Sequence, residues 1–409
     1  MRNIISVCML SCLALGGAVS ADPLVSVQKT STVSAAQFNT RLKAVFGNLA
    51  PAPATGPTDL YKIRYNSHDS NGRAVILSGL LTLPRGGAPK GLVVFAHGTV
   101  ADRRLSPSRY KETGQASEVG AALLAYGSGG YGLVMPDYLG LGDDSGVHPF
   151  PLGKVNSLSV IDMIGPARAA ARRVRISLGP RLFISGYSEG GAIALWTVRI
   201  LEEKPSAALH VTSAVPMSGP YDLTGATAQS LVAPTQSQLV FAARLYLLSY
   251  LLHSVYKNDG VKLTTYVRPA LAAVIVRVFD QNLTDEQIIK RLALAATLLG
   301  ARNSVERVTT PYFLRTLHSV DTSDPVIKEL QRNNCFDWSP RTKMLLICLK
   351  TDGIVVPENT QNAIQAMRAR GVGADVVQES LIVNGSLNHS AAIIPALAQA
   401  RRFFDASKP

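Results

Sequence analysis

Cysteine is scarce in this chain. There are four in 409 residues, and two of them, Cys8 and Cys12, fall within the first 21. No Cys/His spacing resembles a zinc site and no H-E-x-x-H occurs, so no metal and no other cofactor is expected. Acidic residues are few as well: 28 Asp and Glu stand against 41 Lys and Arg, for a formal net charge of +13. The basic residues are scattered, as in Arg103-Arg104, Arg172-Arg173 and Arg401-Arg402, with no basic stripe interleaved by aromatics. That pattern excludes a nucleic-acid partner. It leaves a charge that keeps an exported protein soluble or draws it transiently to anionic and lipid surfaces. Internal repeats and long low-complexity stretches are missing, which excludes a solenoid array. A spanning helix is missing too: the apolar run 4–15 is short for one, and 239–256 is both short and interrupted by Arg244.

The first 21 residues do hold the pattern of a secretory leader. Arg2 supplies a positive start, an apolar stretch follows, and Val19-Ser20-Ala21 offers small residues at a cleavage site. The mature chain is expected to begin at about Asp22 in a periplasmic or secreted, oxidising compartment. Cys335 and Cys348 are then its two cysteines. An even pair in an exported protein points to one disulfide. The alternative is a small buried apolar residue, which suits Cys348 within the strand-like run 344–349.

Residues 22–57 read as an irregular leading segment that ends in a Pro/Ala/Gly-rich stretch. Beyond it, 61–66 and 75–83 alternate and read as an antiparallel strand pair. Residues 91–96 form a continuous apolar run, as in a central parallel strand, and end in His97-Gly98-Thr99. Helix, strand and helix are expected over 117–126, 132–135 and 157–176, followed by strands at 182–185 and 211–217 around a helix at 192–201. This alternation defines a doubly wound, mostly parallel α/β sheet, with chemistry at the carboxyl ends of its strands. The glycine-rich run 127–132 precedes a strand rather than opening a helix, so it reads as a helix stop, not a phosphate loop. Asp137, just after a strand, reads as a turn residue. From about 221 to 338 the pattern turns helical, with a capping-box signature at Thr284-Asp285-Glu286-Gln287. Core alternation resumes with a strand at 343–349, a helix at 359–370, a strand at 375–382 and a helix at 391–404. The chain thus divides into a leader (1–21), a first core segment (22–220), a helical cap insertion (221–338) and a second core segment (339–409).

One stretch organises the rest. Gly186-Tyr187-Ser188-Glu189-Gly190 is a G-x-S-x-G pattern placed between a short apolar strand and a helix. A serine on such a turn is held in a strained conformation with its hydroxyl clear of the sheet, facing the positive end of the following helix. A serine hydroxyl is a poor nucleophile at neutral pH, so it needs an imidazole to take its proton and a carboxylate to orient that imidazole. The expected chain order is serine, acid, histidine. Asp352, directly after the resumed strand, and His389, between the last strand and last helix, fill it. Asp324 and Asp337 precede that strand; His68, His148, His210, His253 and His318 lack the order or the strand-end position. The oxyanion donors are expected at the backbone amides of Glu189 and Thr99, with His97 structural or related to that hole.

With these residues in place the chain resembles an α/β-hydrolase from about Tyr61 to Phe404. More narrowly it is similar to the secretory lipase family, relatives of fungal lipase A. The supporting stretches are 136–142 with His148-Pro149, the elbow 186–191, the helical insertion, and Asp337-Trp338-Ser339-Pro340. Elbows of that family often carry Gly or Gln where this chain has Glu189. The resemblance implies a serine carboxylic-ester hydrolase, an esterase or lipase acting on a small-molecule or lipid ester, with a helical cap and no cofactor. A peptidase or amidase on the same fold and an inactive hydrolase-fold binding protein are the competing readings.

Overall fold

The computed structural model describes residues 23–112, 117–205 and 209–407. The expected leader, 1–21, and its cleavage site lie outside the described residues. Among the described residues nine strands form one sheet. In chain order the first half runs β1 (Leu24–Val33), α1 (Ala35–Phe46), β2 (Thr58–His68), β3 (Ala74–Pro84), β4 (Leu92–Ala96), α2 (Glu118–Tyr126) and β5 (Gly132–Pro136). Then come α3 (Gly153–Arg173), β6 (Leu182–Tyr187), α4 (Glu189–Glu203) and β7 (Ser213–Met217). The sheet order is β1-β2-β3-β5-β4-β6-β7, completed by β8 (Met344–Leu349) and β9 (Val377–Ile382). The pairings from β1 through β3 to β5 are antiparallel, and those from β5 onward are parallel.

The leading segment is a correction to the sequence reading. Residues 24–46 are not irregular but form an edge strand and a helix. Strand β1 is mostly polar because it lies at the sheet edge, half in water, so it carries little of the alternation that marks a strand. Helix α1 opens with a capping box between Ser34 and Gln37 and buries Phe38, Leu42 and Phe46, a four-residue spacing that puts all three on one face.

Side chains of the central strands alternate between two cores, as a sheet covered on both faces requires. Leu92, Val94, Leu182, Ile184 and Leu346 pack toward α3 and α4. Val93, Phe95, Phe183 and Ile347 pack toward α1, α2 and α12 (Ile393–Ala406). The chain leaves β4 through α2 and returns to β5, then crosses by α3 to β6 on the other side of β4. The winding therefore reverses between β4 and β6, and the loops after those two strands part there. Such a switch point opens a crevice at the carboxyl ends of an α/β sheet.

Between β7 and β8 the chain builds a third hydrophobic cluster from α5 (Ala228–Val232), α6 (Gln238–Asp259), α7 (Pro269–Asp280), α8 (Asp285–Leu298), α9 (Pro311–Ser319) and α10 (Pro325–Arg332). Helix α6 is apolar and long enough to cross a bilayer by composition alone, but most of it is buried within this cluster. The cap is tied to the loops of the switch point. Asp285 accepts hydrogen bonds from the Ala101 and Asp102 amides at 3.0 and 3.1 Å, and Tyr250 donates to the Val100 carbonyl at 3.2 Å. Arg244 donates from Nε and Nη2 to the Gly353 carbonyl at 3.0 and 2.8 Å. Helix α11 (Glu358–Ala369) follows β8.

Candidate active site

Ser188 stands between β6 and α4 with φ +58° and ψ −125°. A non-glycine residue in this region is strained by about 1–3 kcal/mol. Its surroundings enforce the turn. A Cβ at Gly186 would lie 2.1 Å from the Gly190 carbonyl oxygen, and one at Gly190 would lie 2.0 Å from that of Ala96. Both glycines of the pattern are required because β4 and the start of α4 press directly on the turn. The Ser188 amide donates to the Met217 carbonyl at 3.0 Å, which ties the turn to β7.

Asp352 follows β8 and is buried. Its Oδ1 accepts from the Ile354 and Val355 amides at 2.9 and 3.1 Å, which fixes the carboxylate and leaves Oδ2 free for the histidine. His389 Nδ1 lies 2.6 Å from that Oδ2, and its Nε2 lies 2.9 Å from Ser188 Oγ. With Nδ1–H donating to the carboxylate, Nε2 is left to accept the serine proton. Tyr187 donates its hydroxyl hydrogen to the His389 carbonyl at 2.5 Å and holds the loop from below. The three residues picked from the sequence thus meet in one hydrogen-bonded row.

The loop after β4 runs against the serine: a Cβ at Gly98 would stand 3.4 Å from Ser188 Cβ. Thr99 lines the same spaces as Ser188, and Glu189 is the first residue of α4. The Gly98 amide donates to Glu118 Oε1 at 2.8 Å. Glu118 as a residue is half-buried, but its carboxyl group is desolvated against this loop, which pushes it up to about 8 despite the bond from Gly98. His97 is buried, donates from Nδ1 to the Gly98 carbonyl at 2.7 Å and stacks on Tyr138 at 4.2 Å. Burial pushes it down to about 4, so it is neutral at physiological pH.

The carboxylate of Glu189 faces His148. Its Oε1 lies 2.8 Å from His148 Nε2, and both side chains are almost fully buried. Sequence reasoning missed this partnership and the role of Glu118 beside Gly98. Neither residue has the chain order of a triad. The one available signal was Glu189 itself, since a carboxylate at the buried start of a core helix needs a partner.

The other candidates lie elsewhere. Asp324 caps α10 and accepts from Tyr266 and Tyr312, and Asp337 pairs with Arg370. Asp137 holds its turn by accepting from Ser78 Oγ and the Ser108 amide. His68, His210 and His318 are exposed, and His253 bonds to Asp280 in the cap. The expected disulfide is corrected: Cys335 and Cys348 are both buried free thiols. Cys335 faces the Tyr221 carbonyl, while Cys348 sits inside β8, so each fills a core position of its own.

Two spaces meet at Ser188. One, of about 70 Å³, runs under the cap and is lined by Phe150, Leu223, Leu231, Leu248, Leu251 and Phe313 among others. The other, of about 650 Å³, is more open and is lined by His389, Asn388, Ser390, Arg41 and Glu118. Ser188, Thr99, Leu247 and Ile354 border both.

The sheet, the strained serine turn at its switch point and the helical insertion over it define an α/β-hydrolase fold. Solved structures share it over nearly the whole chain. A putative hydrolase from Legionella pneumophila is 26% identical, with a TM-score of 0.80 over 94% of this chain and 98% of its own. The rice cell wall degrading esterase LipA from Xanthomonas oryzae is 23% identical, with a TM-score of 0.79 over 94% of this chain and 99% of its own. Candida antarctica lipase A in its closed state is 14% identical, with a TM-score of 0.64 over 94% and 83%. No protein-family model and no curated protein matches the chain. The structural likeness includes a fungal lipase A, the relative whose family the sequence motifs resemble.

Proposed function

We propose that this chain is an exported serine carboxylic-ester hydrolase that works through an acyl-enzyme. The observation that carries the reading is the continuous row from Asp352 through His389 to Ser188, at 2.6 and 2.9 Å, at the foot of an apolar cavity. Ser188 Oγ attacks the ester carbonyl while His389 Nε2 takes its proton. The carbonyl oxygen becomes an oxyanion held by the Thr99 and Glu189 amides. The bond between the acyl carbon and the alcohol oxygen then breaks, and His389 returns the proton to that leaving oxygen. Water repeats the sequence on the acyl-enzyme and frees the acid. Asp352 orients the ring and steadies the imidazolium.

The two spaces support a division of the substrate between them. The leaving oxygen must come within reach of His389, and only the larger, more polar space is lined by that residue. The alcohol part belongs there and the acyl chain belongs in the smaller apolar cavity. A cavity of about 70 Å³ holds only roughly five water- or methylene-sized groups. The preferred substrates are therefore esters of short to medium acyl chains. A matched panel of ester and amide substrates tests the reaction class: ester cleavage with negligible amide cleavage is expected, and preferential amide cleavage contradicts it. Export is tested by sequencing the N-terminus of the protein recovered from outside the cytoplasm, with a start near Asp22 expected and an intact Met1 contrary.

A further inference from the structure

Behind the amide of Glu189 lies a buried pair that the reaction above does not use. His148 Nδ1 lies 2.9 Å from the Leu139 carbonyl oxygen, which can only accept, so Nδ1 carries a hydrogen. The nitrogen that faces Glu189 Oε1 at 2.8 Å is therefore Nε2. Without a further proton, two lone pairs would confront each other there, next to an ionised carboxylate out of reach of water. One proton between Nε2 and Oε1 resolves the contact. Whether it sits on nitrogen or oxygen, the two residues together are electrically neutral. The rings of Tyr138, Phe150 and Tyr250 surround His148, and its side chain is 1% exposed, so solvent cannot supply the compensating charge instead.

We infer that His148 neutralises Glu189 so that the amide of Glu189 can hold a developing oxyanion, which makes His148 a positioning residue for the reaction. The inference rests on the hydrolase reading. Its logic is electrostatic: the oxyanion forms at the amide of the same residue whose side chain carries the carboxylate. An uncompensated negative charge in that low-dielectric setting opposes the oxyanion as strongly as a missing donor would. It weakens ground-state substrate binding far less, because the ester carbonyl carries no full charge.

The test compares His148→Gln, Glu189→Gln and the double variant. His148→Gln keeps a hydrogen-bond donor near Glu189 but cannot hold a positive charge. Its kcat should fall on the order of 10², the cost of losing an oxyanion-hole donor, with KM changed little. Affinity for a trifluoromethyl ketone, which adds to Ser188 and leaves an oxyanion in the hole, should fall in parallel. Glu189→Gln is the reference, and adding His148→Gln to it should cost no more than about a few-fold further. If the double variant is as impaired as His148→Gln, His148 acts by shaping its loop and the inference is overturned. Nitrogen-15 labelled histidine gives a readout independent of turnover. A downfield resonance of the proton bridging His148 Nε2 and Glu189 Oε1 that disappears in Glu189→Gln is expected, and the absence of any such bridging proton from the wild-type chain contradicts the shared proton. A wild-type chain that shows the resonance but cleaves no ester overturns the hydrolase reading and leaves the charge assignment standing.

Discussion

Ser188 holds an uncommon backbone conformation that only the two neighbouring glycines permit, and the row to His389 and Asp352 starts from it. Ser188→Ala should lower ester turnover by several orders of magnitude, about 10⁶ in a comparable triad, with unfolding temperature unchanged. Asp352→Asn and His389→Ala should be similarly impaired, whereas Asp324→Asn, at a cap-helix terminus, should not be. Steady-state kinetics on folded variants checks this set. These three residues were legible because strand-end position and chain order are sequence properties. Glu118 and His148 were not, because their roles depend on partners distant in the chain. His97 and Glu118 also leave a pH signature. His97, pushed down to about 4 by burial, binds its proton more readily unfolded, so its contribution to stability is complete above about 6.5 and is lost as pH falls toward 4. Glu118, pushed up to about 8, has the opposite sign: the folded state keeps a proton that the unfolded chain releases, so stability falls as pH rises from about 4.5 to 8. In urea midpoints, His97→Asn should therefore lose stability relative to wild type as pH rises from 4 to 6.5, and Glu118→Gln should gain stability relative to wild type as pH rises from 4.5 to 8. Parallel curves would refute both assignments.

Helix α6 connects the cap to the site. Of its apolar residues, Leu247, Leu248 and Leu251 border the cavity at Ser188, while Phe241, Leu245 and Leu252 pack within the cap. The sequence alone could not divide them, because α6 is apolar nearly all round and offers no single stripe to orient it. The leading strand and α1 were hidden for a different reason, an edge position that tolerates polar residues. If the cavity holds the acyl chain, each buried methylene contributes up to about 0.8 kcal/mol. The specificity constant should rise from acetate and then fall once the cavity is full. Leu231→Phe, at a half-buried lining position, should shift that optimum to shorter chains; a length profile that does not move would contradict the acyl assignment. Arg244 is the strut between α6 and the loop of Asp352. Arg244→Met strands the Gly353 and Ala233 carbonyls it now satisfies, at a cost of about 1–3 kcal/mol each if they stay dry. Its unfolding temperature should drop and its kcat should fall with it, whereas an unchanged kcat would show that the cap does not support the acid.

At the scale of the whole molecule, one continuous sheet carries every part of the site. Ser188, Asp352, His389 and the loop of Thr99 all follow the carboxyl ends of its strands, and the helical insertion lies over them. The two thiols stay apart in this arrangement, so denatured, unreduced protein beginning near Asp22 should titrate two free thiols, and none would restore the disulfide. The most direct test of the account is covalent labelling. A fluorophosphonate should modify the native chain once, at Ser188 by peptide mass spectrometry, with ester hydrolysis lost in proportion to labelling, and Ser188→Ala should take up none. Labelling at another residue, or full hydrolysis by protein with Ser188 blocked, would contradict it.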